Sequence, residues 1–185
     1  MRPGAGRLDA APPSPTSTPM TRMTSETAAD GEAALEIGVH TAIAEIPAAQ
    51  WDACAAPEAT DGGHPLNPFV THAFLDVMEA SGSATRREGW APQHLVARME
   101  GRVVAAMPLY LKGHSQGEYV FDYAWANAWA RAGGDYYPKL QSAVPFTPAT
   151  GPRLLVNPEA PLPARALEGA LLEGAATLCE RNDLS

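Results

Sequence analysis

Gln93-His94-Leu95-Val96-Ala97-Arg98-Met99-Glu100-Gly101-Arg102-Val103-Val104-Ala105-Ala106-Met107-Pro108-Leu109-Tyr110-Leu111 reads as two strands joined by a tight turn. His94, Val96 and Arg98 alternate with Leu95, Ala97 and Met99, which is the period of a strand. Glu100-Gly101 separates the two runs, and Gly101 can supply the positive φ of a two-residue hairpin turn. The second run, Val103 to Leu111, is apolar on both faces and predicts one central strand. Pro108 lacks a backbone donor, so a bulge or the end of pairing on that side is expected there.

Toward the N-terminus, Leu35, Ile37 and Val39 alternate in a short strand over 34–40. Ile43 and Ile46 lead to Pro47, which suits the first turn of a helix carrying Trp51 over 47–55. A Pro/Gly/Asp/Asn-rich loop spans 57–68. Thr71 as N-cap and Gly82 as terminator bound a helix over 71–81, with Phe74, Leu75 and Met78 as its buried stripe. A loop then runs to Pro92. Toward the C-terminus, a helix is expected over 121–131, ended by Gly133-Gly134, with strands over 139–145 and 153–156. Trp125 and Trp129, four apart on that helix, read as core. Pro163 opens a helix to about Arg181, with Leu167, Leu171, Ala175 and Leu178 on one face and Glu168, Glu173 and Glu180 toward water.

This order predicts a mixed α+β domain with a central mixed sheet flanked by helices over 33–185. In an α/β layout a strand normally follows such a terminal helix, so the sequence reads as cut in mid-fold. Residues 1–32 are expected to be a disordered tail. Met1–Asp30 holds three arginines, three acids, five prolines and eight Ser/Thr, too little apolar surface to fold.

A net charge of -8 and a pI near 5.0 argue against non-specific nucleic-acid binding and anionic membrane surfaces. The chain lacks an apolar run of about 20 residues that would span a bilayer and the continuous apolar core of a secretory signal. A cytoplasmic location is expected. Cys54 and Cys179 stand apart without a CxxC or Cys/His cluster, and His64, His72 and His94 lack ligand spacing, so no metal is assigned.

Function is most legible between Tyr110 and Phe146. All five tyrosines and nine of the thirteen aromatics fall there, with only six charges. Such a segment is a core or a pocket wall. The Gly113-His114-Ser115-Gln116-Gly117-Glu118 run, with its two glycines and paired His and Glu, favours the pocket.

The chain resembles the GNAT-like, FemAB-related bacterial family of N-acyltransferases, or peptidoglycan biosynthesis/recognition proteins. The resemblance covers roughly residues 35 to 185. It is carried by Asn67-Pro68-Phe69, His72-Ala73-Phe74-Leu75, Glu79-Ala80-Ser81-Gly82-Ser83, Gly89-Trp90, Pro92-Gln93-His94-Leu95 and Pro108-Leu109-Tyr110-Leu111-Lys112. More specific are Gly117-Glu118-Tyr119-Val120-Phe121-Asp122, Tyr137-Pro138-Lys139-Leu140, Val144-Pro145-Phe146-Thr147-Pro148 and Thr150-Gly151-Pro152-Arg153-Leu154-Leu155. Family members are about twice as long, so the resemblance implies the N-terminal half of an acyltransferase-like protein. It implies a GNAT-like fold and transfer of an acyl or aminoacyl group to an amine. The donor would be acyl-CoA or, by kinship, aminoacyl-tRNA. The acidic charge favours the smaller donor and disfavours tRNA as a partner.

Such a reaction needs a base, an oxyanion site and a donor cradle. Glu118 among aromatics and His114 are the candidate bases, each also readable as an exposed loop side chain. Tyr119 is a candidate proton donor, against the commoner role of packing. Lys112, at the start of the Gly-rich loop, is a weak analogue of a diphosphate site, and a plain connection after a strand is the better explanation of that loop. Asp122 reads first as a helix cap and second as a ligand contact. Tyr137, Lys139 and Phe146 are expected on a rim, although a lone lysine is usually solvated. Thr147, Thr150 and Gly151 are placed to orient ligand atoms. The rival functional readings are a non-catalytic module that binds a cell-wall or small polar ligand, and an inactive fragment. The acyl group, the acceptor and the oligomeric state are not legible.

Overall fold

The structure is a computed structural model that describes residues 34–56, 67–116, 118 and 121–184. The expected disordered tail, most of the 57–68 loop, His64 and Tyr119 lie outside the described residues. Its strands are β1 Leu35–His40, β2 Trp90–Pro92, β3 His94–Met99, β4 Arg102–Met107, β5 Tyr110–Lys112, β6 Lys139–Gln141 and β7 Leu155–Val156. Its helices are α1 Ala48–Ala55, α2 His72–Ala80, α3 Tyr123–Arg131 and α4 Ala164–Asn182.

The fold is α+β, and in place of one mixed sheet it has two antiparallel ones. The first has the order β1-β3-β4-β7, the second β2-β5-β6. Both are built around a single long hairpin. Met99 faces Arg102 across Glu100 (φ 50) and Gly101 (φ 76), as a two-residue turn with two left-handed positions requires. Arg98 pairs with Val103 after a register shift at Ala97/Arg98, so the bulge lies there.

The expected single strand over Val103–Leu111 is broken at Pro108-Leu109, and its two pieces belong to different sheets. The supposed loop before Pro92 supplies the partner of the second piece, β2. The polar groups at this switch are satisfied one by one, as buried backbone requires. Gln93 N donates to Leu109 O at 2.8 Å. Ser142 Oγ donates to Pro108 O at 2.8 Å. Leu109 N donates to His94 Nδ1 at 3.3 Å, a side chain standing in for the ladder. Pairing ends at Pro108, as its missing donor predicts. The two later strands are shorter than expected, Lys139–Gln141 and Leu155–Val156.

Because Nδ1 of His94 accepts, Nε2 carries the proton and donates to Glu79 Oε1 at 2.8 Å. Glu79 Oε2 takes Ile43 N at 2.8 Å. This carboxylate thus ties α2 to the 43–45 turn and to the sheet switch. In Glu79→Gln an amide N–H faces the His94 N–H and one bond is lost. A loss of about 2 kcal/mol is expected in urea unfolding. An unchanged midpoint would show that the tie carries no stability.

The first sheet is covered on both faces. Val96, Val103, Ala106 and Leu155 pack with Ile43, Trp51, Val70 and Leu75 on the α1/α2 side. Leu95, Ala97, Val104 and Met107 pack with Leu167 and Leu171 of α4 on the other. Gly174 lets α4 approach closely, since a Cβ there would meet Ile37 Cγ2 at 3.0 Å. Thr71 caps α2 by accepting from Phe74 N. The helix after Pro163 carries the expected buried stripe.

One core assignment is corrected. α3 forms where expected but buries no residue. Trp125 is 73% exposed and Trp129 54%, and Phe121 and Tyr123 are exposed beside them. Trp129 lies over Gly134, whose Cβ would fall 2.4 Å from the indole nitrogen. Aromatic residues four apart share a helix face whether or not anything covers it. Trp125→Ala is therefore expected to change stability by less than about 0.5 kcal/mol. A loss of several kcal/mol on melting would restore it to the core.

Candidate functional site

The second sheet sorts its residues by face. Each strand has a central residue, Ala91, Leu111 or Leu140, flanked by two that point the other way. Trp90 faces Lys112, and Lys112 faces Lys139. Pro92 faces Tyr110, and Tyr110 faces Gln141. One face of this small sheet therefore carries two lysines, a glutamine, a tyrosine and a tryptophan. Rings link it to the first core. Trp51, His94, Tyr110 and Trp90 follow one another edge to face, at 5.6, 5.2 and 5.5 Å between centroids.

Like charges directly across a sheet repel, and here each lysine meets a carboxylate from the segment that follows β5. Lys139 Nζ is ion-paired and hydrogen-bonded to Asp122 Oδ2. Asp122 Oδ1 accepts from Ser115 Oγ and from Tyr137 Oη at 2.6 Å. Burial raises the proton affinity of Asp122, but hydrogen bonds from Lys139, Ser115 and Tyr137 outweigh it and hold the carboxyl well below the usual range. Burial lowers that of Lys139, yet Asp122 more than restores it, so its ammonium titrates above its ordinary value. Burial and the bond to Asp122 push the Tyr137 phenol up. Two sequence readings are corrected here. Asp122 makes no side-chain cap bond to α3, and Lys139 is paired rather than solvated.

Lys112 is held more loosely. Its side chain is fully buried, and Glu118 Oε1 lies 3.5 Å from Nζ, an ion pair at the edge of hydrogen-bond range. Nζ donates to Gln116 O at 3.3 Å and sits 3.6 Å from the Trp90 ring centroid. Burial pulls its proton affinity below the ordinary value more strongly than Glu118 lifts it.

Among the described residues, the buried side-chain atoms without a hydrogen-bond partner are Trp90 Nε1, Tyr110 Oη, Glu118 Oε1 and Gln141 Oε1. All four belong to this sheet or to the segment lying on it. Buried polar atoms are nearly always paired, so their concentration in one place marks it chemically.

The other candidates take no part in the lysine–carboxylate bonds. The His114 ring packs on Gly89, where a Cβ would lie 2.5 Å from Cε1, and its Nδ1 accepts from Gln116 N at 3.2 Å. Phe146 (φ 53) tilts against Trp90 at 5.8 Å and edges an open depression of ≈ 420 Å³ with Met78 and Glu88. Thr147 Oγ1 donates to Pro145 O within its own loop. Thr150 O accepts from Asn67 Nδ2 at 2.9 Å, and that amide also fills the space over Gly151 (φ 132). Among the described residues no three His, Cys, Asp or Glu side chains come together to hold a metal ion. No helix among them is long and apolar enough to cross a membrane.

Trp90, Tyr110, Ser115 and Gln141 were not singled out from sequence. Their signal is three short triplets, Trp90-Ala91-Pro92, Tyr110-Leu111-Lys112 and Lys139-Leu140-Gln141, each with its small or aliphatic residue in the middle. The FemAB-like family profile, described as peptidoglycan biosynthesis/recognition, matches residues 42–185. The chain belongs to the FemAB-like family. No curated protein and no solved structure matches it. In this FemAB-like chain the matched region contains the hairpin, the second sheet, every strand of the first sheet except β1, and the whole lysine–carboxylate cluster.

Proposed function

We propose that this chain contributes to peptidoglycan metabolism by transferring an acyl or aminoacyl group to an amine, on the polar face of the second sheet, with Glu118 as the proton acceptor. One observation carries the choice of base. Asp122 is saturated by three donors, whereas Glu118 Oε1 takes no hydrogen bond and meets only a long ion pair. A carboxylate with unused lone pairs can take a proton, and one locked by three donors cannot do so readily.

The acceptor nitrogen attacks the carbonyl carbon of the donor, and a C–N bond forms. The amine proton passes to Glu118. The carbon–sulfur or carbon–oxygen bond to the carrier then breaks, and the proton returns to the leaving group. Acyl-CoA is the favoured donor. Aminoacyl-tRNA is the alternative, and a chain of net charge -8 is poorly suited to it.

The test is to incubate the chain with acetyl-CoA or an aminoacyl-tRNA and a lysine-containing peptide, and to look for the amide by mass spectrometry. A product that depends on the chain supports transfer. Absence of product from every donor, with the ligand still bound, would leave recognition as the activity of this face.

A further inference from the structure

We propose that Lys112 is the docking point for a carboxylate of the ligand, and that Glu118 is the internal carboxylate that this ligand displaces. The inference rests on placing the transfer site on this face and deepens it by naming the chemistry of the bound group.

The two lysine–carboxylate pairs differ in a way that points to exchange at one of them. Asp122 is fixed by Lys139, Ser115 and Tyr137 together. Glu118 holds Lys112 from 3.5 Å through one oxygen that takes no hydrogen bond. Lys112 has three N–H donors, and the described contacts are one carbonyl, this ion pair and the face of an indole. Burial, more than any neighbouring charge, holds its proton affinity below the ordinary value. Against it lies the ring of Trp90, whose Nε1 is buried and unpartnered. A buried ammonium against an indole with a free N–H matches the oxygens of a carboxylate. The Lys112 side chain is fully buried and that of Glu118 is 9% exposed, so a ligand reaches the ammonium only by displacing a neighbouring group.

Displacement also has a consequence for the reaction. A carboxylate seated on Lys112 releases Glu118 from its counter-ion, close to the bound ligand, where it can accept the amine proton. Binding and the availability of the base are then coupled, and an unliganded chain keeps its base paired.

N-acetylglycine, titrated into the full chain and read by the NMR cross-peak of the Trp90 indole N–H, tests this directly. N-acetylglycinamide, which lacks the carboxylate, is the control. N-acetylglycine is expected to shift the peak and to bind at least about tenfold more tightly than the amide. Removing the internal competitor with Glu118→Gln is expected to tighten N-acetylglycine binding by about tenfold. An equal or weaker affinity in Glu118→Gln overturns the inference, as does equal binding of the amide, or no shift up to about 50 mM. Binding is read without turnover. An unchanged affinity in Glu118→Gln therefore removes the displacement and leaves the transfer reading standing. Tightened binding with no amide product removes transfer and leaves the carboxylate site.

Discussion

Glu118→Gln is expected to lower acyl transfer by about 10²-fold or more, the usual scale for loss of a general base, while the fold is retained. The amide keeps the shape of the carboxylate and loses the ability to take a proton at neutral pH. Stability is expected to survive because Glu118 makes a long ion pair and its Oε1 no hydrogen bond. Lys112 loses its counter-charge but keeps its bond to Gln116 O and its place over the Trp90 ring. His114→Gln is the comparison. The His114 ring packs on Gly89 and its Nδ1 is occupied by Gln116 N, so a change of less than about threefold is expected. The reverse result, with transfer unchanged in Glu118→Gln and abolished in His114→Gln, would move the base to the histidine.

Asp122→Ala is expected to destabilise the chain by about 3 kcal/mol, the scale for removing one partner of a buried ion pair. Lys139, Tyr137 and Ser115 would all lose their shared acceptor at once. In a chain of this size that corresponds to a Tm lower by about 10 °C. The pH dependence has a definite sign. The folded-state pKa of Asp122 lies below that of the unfolded chain. Its contribution is therefore complete above about pH 4 and is lost as the pH falls through the folded value. Asp122→Asn should flatten the acid limb of a plot of Tm against pH and leave the neutral region less stable. An acid limb identical to that of the native chain would show that Asp122 is not held by these donors.

The parts of the fold that were legible in the sequence depend on local chemistry. Glu100-Gly101 announces its own turn, and Thr71 caps α2 through its own hydroxyl. The stripe of Leu167 and Leu171 follows from helical spacing alone. What escaped depends on partners far along the chain. The run Val103–Leu111 has no break in hydropathy, and its division between two sheets needs Pro108 together with the His94 imidazole. Trp125 and Trp129 have the spacing of a core stripe, yet among the described residues no element covers them. Asp122 sits where a cap would sit, and its actual role is set by Lys139, 17 residues later.

The site was partly legible for the same reason. Glu118, Lys112, Asp122, Tyr137 and Lys139 were singled out, and the structure brings them to one sheet face. Trp90 and Tyr110 were passed over because buried aromatics usually only pack, and an unpartnered indole N–H is visible only once the neighbours are placed. Thr147, Thr150 and Gly151 lie close in sequence to Phe146, but their contacts are made with their own loop and with Asn67.

The central claim concerns place, and a crystal structure of the full chain with N-acetyl-lysine amide, the simplest product of acetyl transfer to a lysine side chain, tests it most directly. The account predicts that the product amide lies on the Trp90–Lys112–Lys139 face, within hydrogen-bond distance of Glu118 or Lys112 and with the Asp122 contacts unchanged. A product bound instead in the depression beside Met78 and Phe146, or along the exposed rings of α3, would contradict it.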